Sequence, residues 1–117
     1  MSPNSNYQGG VAFEREVRKH LESEGYWCAR AAGSKGKADL IAIKPGEVLI
    51  VQCKRNGTLP PDERVEVRRI AALLPGIGIP LLARRPGITF RKLTGNGPQE
   101  WEPWCADYAT EGEQNVR

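Results

Sequence analysis

Two apolar runs, ADLIAIK at residues 38–44 and EVLIVQCK at residues 47–54, flank the turn signal Pro45-Gly46. Apolar runs of this length bounded by turn residues read as strands. Their near-continuous apolar character suggests burial on both faces. Joined by so short a turn, they form a hairpin, in which the start of one strand lies beside the end of the next. Asp39 and the Gln52/Lys54 pair therefore come to the same end. Alternation along a strand puts Gln52 and Lys54 on one face and Cys53 on the other, toward the core.

Upstream, Gly10 to Glu24 reads as a helix, with Phe13, Val17 and Leu21 forming one apolar stripe. Gly25 is a natural terminator. Tyr26 to Ala31 reads as a strand that leads into the loop Ala32 to Lys37. Glu14, on the helix, is able to reach the open end of the hairpin; Glu16 is the neighbouring alternative. Downstream, Asn56 to Pro60 is a loop and Pro61-Asp62-Glu63 a helix first turn, with proline tolerated early and acids favoured by the dipole. Val67, Ile70, Ala71 and Leu74 keep helical spacing, and Pro75-Gly76 ends the helix. Pro80 to Arg85 and Ile88 to Leu93 form a second hairpin around Pro86-Gly87. The expected fold class is α/β with element order α-β-β-β-α-β-β. One domain spans residues 10–109, between a flexible start at 1–9 and a flexible end at 110–117. Trp101 and Trp104 lie in a polar, Gly/Pro-rich stretch and are expected to pack on the domain or on a partner subunit.

The chain has 117 residues, enough for one compact domain. It holds no apolar run long enough to span a bilayer and no secretory-type start. Three scattered cysteines, Cys28, Cys53 and Cys105, argue against a disulfide framework and point to a reducing, cytoplasmic setting. With His20 the only histidine and no C-x-x-C pair, a structural zinc site is not expected. The net charge of +3 is mild, but the basic residues crowd the middle of the chain and the acids its tail. That distribution suits a polyanionic partner, or simply a solvated surface of mixed charge.

An acid, an amide and an amine at the mouth of an apolar hairpin suit phosphodiester hydrolysis. Carboxylate and amide oxygens hold Mg²⁺ as hard ligands. The cation polarises the scissile phosphate and acidifies a bound water. A nearby lysine positions that water and stabilises developing charge. Lys35 and Lys37, on the Gly-rich loop beside this cluster, and Arg30 just before it are placed to contact phosphates.

The segments FEREV (13–17), RAAGSKGKADLIAI (30–43) and VLIVQCK (48–54) resemble the archaeal-type (Hjc-like) Holliday-junction resolvases of the PD-(D/E)XK nuclease superfamily. The resemblance runs from about Val11 to Leu93. It implies a restriction-endonuclease-like core with a mixed central sheet, dependence on Mg²⁺ or Mn²⁺, and a two-fold homodimer acting on four-way DNA. By position, Glu14 matches the family's helix glutamate, Asp39 its central metal-binding aspartate, Gln52 its motif acid and Lys54 its motif lysine. Asp39, Gln52 and Glu14 are thus the implied metal ligands, and all four residues the catalytic set. Ser34 falls in the loop that approaches DNA in the family, and Arg55 completes the DNA-contacting set with Arg30, Lys35 and Lys37. No membrane partner and no cofactor beyond the metal are implied.

One position departs from the pattern: the family's usual glutamate is Gln52 here. A Q-x-K motif resembles the Mrr-like restriction-nuclease branch, so a duplex endonuclease or nickase is one alternative. A non-catalytic DNA-binding protein on a nuclease scaffold is another, and an RNA endonuclease a third. Glutamine keeps a carbonyl oxygen and loses the charge, which predicts weak metal binding or a preference for Mn²⁺. Gln52→Glu is therefore expected to bind Mg²⁺ much more tightly in a calorimetric titration. Unchanged metal dependence would remove residue 52 from the ligand set.

Overall fold

A computed structural model describes residues 3–31 and 39–105, with side chains from Val11 onward. The elements are α1 (Pro3–Ser23), β1 (Trp27–Arg30), β2 (Leu40–Lys44), β3 (Glu47–Cys53), α2 (Pro61–Ala72), β4 (Gly78–Arg84), β5 (Thr89–Leu93) and β6 (Trp101–Trp104). The six strands form one sheet in the order β1-β2-β3-β4-β5-β6. Only β3 and β4 run parallel; every other neighbouring pair is antiparallel. A parallel pair needs a crossover, and α2 supplies it. The expected mixed α/β architecture is thus present, with one strand more than the sequence indicated.

Each face of the sheet carries one helix. The stripe Phe13, Val17 and Leu21 of α1 packs on Leu40, Ala42, Leu49, Val51, Leu81, Ala83 and Phe90. On the opposite face, Val67 and Ala71 of α2 pack with Ile50, Leu59, Leu82 and Leu93. β3 alternates between these two clusters, so Gln52, two residues after Ile50, belongs to the face that α2 covers. α1 ends in paired backbone bonds, Gly25 N to Glu22 O and Tyr26 N to Leu21 O, with Gly25 at φ 98°. This is the Schellman arrangement, which favours glycine at the left-handed position.

Two features differ from the sequence reading. α1 begins at Pro3, so most of the segment expected to be an irregular start is helical. Proline at the first helical position is harmless, because the N–H it lacks would be unpaired there anyway. β6, unforeseen, pairs with β5 and delivers the two tryptophans to opposite faces. Trp104 meets Phe90 edge-on at 5.4 Å, and Trp101 joins the α2-side core. Both therefore pack on the domain itself. The expected flexible end, 110–117, lies outside the described residues.

At the start of β4, Gly78 lies directly under α2: a Cβ there would stand 2.1 Å from Ala71 O. The helix backbone cannot yield without leaving the sheet. Gly78→Ala is expected to cost about 1–3 kcal/mol, the usual range for overpacking, read as a lower urea midpoint with unchanged slope.

Candidate active site

Asp39 sits at the mouth of the β2–β3 hairpin, as its sequence position required. Its N–H donates to Val51 O and its carbonyl accepts from Ala31 N, both at 2.9 Å. Its side chain is fixed as well: Cys53 N–H donates to Oδ2 at 2.8 Å. Backbone bonds on both sides thus hold Asp39 at the sheet end, and the Cys53 amide holds its carboxylate. Burial is the first cause that raises its pKa. The Cys53 amide opposes that rise, the charge of Glu14 adds to it, Lys54 opposes it, and Glu63 adds again. Three charged side chains, from α1, α2 and the loop after β3, thus act on this one carboxyl.

Glu14 is 8% exposed, on the buried side of α1. It pairs with Arg30, whose Nε donates to one carboxylate oxygen and whose second guanidinium nitrogen lies 3.5 Å from the other. The local i+4 partner expected for a plain surface charge, Arg18, instead pairs with Glu22 at 3.4 Å. Glu16, the alternative acid, is exposed and bound to Arg85 at 2.8 Å.

Gln52 is only 4% exposed, and its Oε1 is buried with no hydrogen-bond partner among the described residues. An unpaired buried polar atom costs about 1–3 kcal/mol. Lys54, on the same face, places Nζ 3.1 Å from Glu63 Oε1, an ion-pair distance without hydrogen-bond geometry. Cys53 points the other way, against the α1-side core, where burial pushes its thiol pKa up. Arg55 is exposed and lines an open cavity of about 430 Å³ with Phe13, Cys53, Lys54 and Asn56. Ser34, Lys35 and Lys37 lie outside the described residues.

Among the described residues, no three His, Cys, Asp or Glu side chains form a ready metal cluster. The donors present are nevertheless all hard oxygens, and the orphaned Gln52 oxygen is the kind of atom a cation would satisfy. The site fits a divalent cation only if the amide takes part. Sequence reasoning missed Glu63 altogether, because Pro61-Asp62-Glu63 looks like an ordinary helix start and nothing local reveals what lies beneath it.

Residues 5–73 match the family model "Archaeal holliday junction resolvase (hjc)", which covers more than half of the chain. The chain belongs to this family. It is 56% identical over 48 residues to the crossover junction endodeoxyribonuclease Hjc of Methanocaldococcus jannaschii, a match covering 41% of this chain and 35% of that relative. The aligned part thus spans about a third of the relative's length. Among solved structures, Hjc of Archaeoglobus fulgidus, a Holliday junction resolvase, is similar at a TM-score of 0.58 with 25% identity, over 72% of this chain and 70% of that one. The structural match agrees with the mixed sheet and the two flanking helices.

Three partly or fully buried arginines, Arg64, Arg84 and Arg91, gather on the α2 side of the same domain. Arg91 stacks on the Trp101 ring at 3.8 Å. Burial first, and then the positive charges of Arg84 and Arg64, hold its pKa below the ordinary value. Like charges crowded in this way favour a polyanion nearby.

The Asp39 shift has a measurable sign. A carboxyl raised on folding weakens the native state above its ordinary pKa of 3.8, and this cost vanishes below that value. Asp39→Asn keeps an acceptor for the Cys53 amide and removes the ionised form. Without metal it should melt higher than wild type at pH 7, and the gap should close as pH falls below 3.8.

Proposed function

We propose that this protein is a structure-selective DNA endonuclease that resolves four-way junctions by paired nicks, acting as a two-fold dimer in the cytoplasm with Mg²⁺ or Mn²⁺. The observation that carries this is Asp39, locked by the Cys53 amide beside Lys54 and the orphaned Gln52 oxygen, in a chain of the Holliday junction resolvase family. Asp39, Gln52 and Glu14 are the residues we assign to hold the cation. When bound, it polarises the scissile phosphate and makes a bound water acidic.

The chain's own groups do the rest. The Cys53 N–H fixes the Asp39 carboxylate, so no side-chain ordering is needed when substrate arrives. Lys54 carries an ammonium at the sheet end, placed to orient a water and to offset charge developing on the phosphate. Arg30 holds Glu14 in place through its side-chain pair. Arg55, with Ser34, Lys35 and Lys37, is assigned to the DNA backbone, with recognition by shape more than by base readout. A single site cannot cut two opposed strands together; a C2 dimer presents two sites related as the junction's own strands are.

Gln52 favours a second reading, an Mrr-like nickase of duplex DNA or a junction-binding protein without cleavage. One experiment separates them. Purified protein is incubated with a synthetic four-way junction, and with its duplex arms, plus Mg²⁺ or Mn²⁺. Resolvase activity gives symmetric paired nicks in the junction only, reduced by about a hundredfold or more in Asp39→Ala, the scale of losing one charge-stabilising group. Nicking of the duplex arms supports the first alternative. Binding without nicking in either metal supports the second.

A further inference from the structure

The strand position that ordinarily presents a second carboxylate carries a neutral amide here, while a carboxylate from another element stands at the same end of the sheet. We infer that Glu63, in the first turn of α2, supplies the missing negative charge and is a ligand of the divalent cation, together with Asp39 and the Gln52 oxygen. The inference rests on the reading of this cluster as a metal site.

Four observations converge. Glu63 Oε1 is shielded from solvent and lies 3.1 Å from Lys54 Nζ. Lys54 follows Gln52 by two residues on one face, so the contact with Lys54 brings Glu63 to the Gln52 side of the sheet. The register that pairs Leu40 with Val51 sets Asp39 opposite Gln52, on that same face. Finally, the Gln52 amide oxygen is buried on the face that α2 covers, unpartnered among the described residues. Acids alone would not make the site, since no trio of them gathers among the described residues. Two carboxylates and one amide oxygen, from three positions, meet the requirement of a hard cation for several oxygens.

A purely structural ion pair explains these facts less well. The Lys54 and Glu63 side chains are 29% and 19% exposed. A largely buried pair repays its desolvation only in part. It leaves the nearby Gln52 oxygen unsatisfied. A cation accounts for both at once: it takes the two shielded oxygens, and Lys54 is released from Glu63 toward the substrate. The backbone around Glu63 is also stiffened in advance. Pro60 and Pro61 set the helix start, and the buried Arg64 donates from its side chain to Leu59 O at 3.2 Å and from its N–H to Pro60 O at 3.0 Å. A ligand on such a support needs little ordering to bind.

The test is a calorimetric titration of Mn²⁺ into the 117-residue chain without DNA, for wild type, Glu63→Gln, Gln52→Glu and the double variant Gln52→Glu/Glu63→Gln. Melting curves in EDTA check that each is folded. Glu63→Gln should weaken Mn²⁺ binding by about 10-fold or more, at least the loss caused by removing a group that merely supports a ligand. The double variant, which moves the charge from the helix to the strand, should restore most of the loss. Should Glu63→Gln fold poorly, Glu63→Asp, which keeps the charge and shortens its reach, should weaken binding in the same direction. Wild-type Mn²⁺ affinity in Glu63→Gln, or no recovery in the double variant, overturns the assignment of Glu63 and leaves the metal-site reading standing. Wild type that takes up no Mn²⁺ overturns both.

Discussion

The Cys53 N–H to Asp39 Oδ2 bond fixes the chemistry to the fold. It joins the entry of β2 to the exit of β3, and it forms only because the hairpin register pairs Leu40 with Val51. A slip of one residue would turn Asp39 and Gln52 to the opposite faces and exchange the two cores. That register is enforced by burial. Leu49 and Val51 lie under α1 and Ile50 lies under α2, all essentially inaccessible, so no other alignment keeps apolar side chains inside. The position of one carboxylate is thus set by the packing of both helices on β3.

Burial and charge oppose one another at this point. Asp39 is pulled from water, which disfavours its ionised form, and two acids act on it in the same direction. A single backbone amide and the Lys54 ammonium compensate in part. The domain therefore tolerates a cost where its reactive groups gather, while the layers around them are packed without one. Buried polar atoms left unpaired are rare in native proteins, and each asks for a reason. Here the orphans among the described residues are two oxygens, Gln52 Oε1 and Glu63 Oε1.

How much of this was legible in sequence depends on whether a signal is local. The hairpin was readable because two apolar runs and a Pro-Gly turn state it within seventeen residues, Ala38 to Lys54. The α1 stripe at Phe13, Val17 and Leu21 was equally plain. The N-terminal turns of α1 were missed because Ser, Asn and Gly are weak helix formers. β6 was missed because WEPW carries a proline and lies among turn residues; its strand identity comes from pairing with β5 and from the tryptophans docking on each face. The shared end of Asp39, Gln52 and Lys54 was legible because hairpin geometry dictates it. Glu14 was found on the helix, but its partner Arg30 is sixteen positions away and had been assigned to DNA alone.

Glu63 belongs to a third kind, legible in topology though not in local sequence. A strand followed by a crossover helix and a parallel strand forces the helix to run back along the sheet. Its first turn must then stand at the end where the preceding strand finishes. β3 finishes at Cys53 and α2 starts at Pro61, so the loop between them is short and the first-turn acids have little freedom to lie elsewhere. The parallel pairing of β3 with β4 is what makes the connection a crossover. An acid in that turn faces the same reactive end as an acid on the strand, approached from the helix layer above the sheet. The fold thus offers two backbone positions at this end of the sheet, one on β3 and one in the first turn of α2, and in this sequence the strand position carries an amide and the helix position a carboxylate.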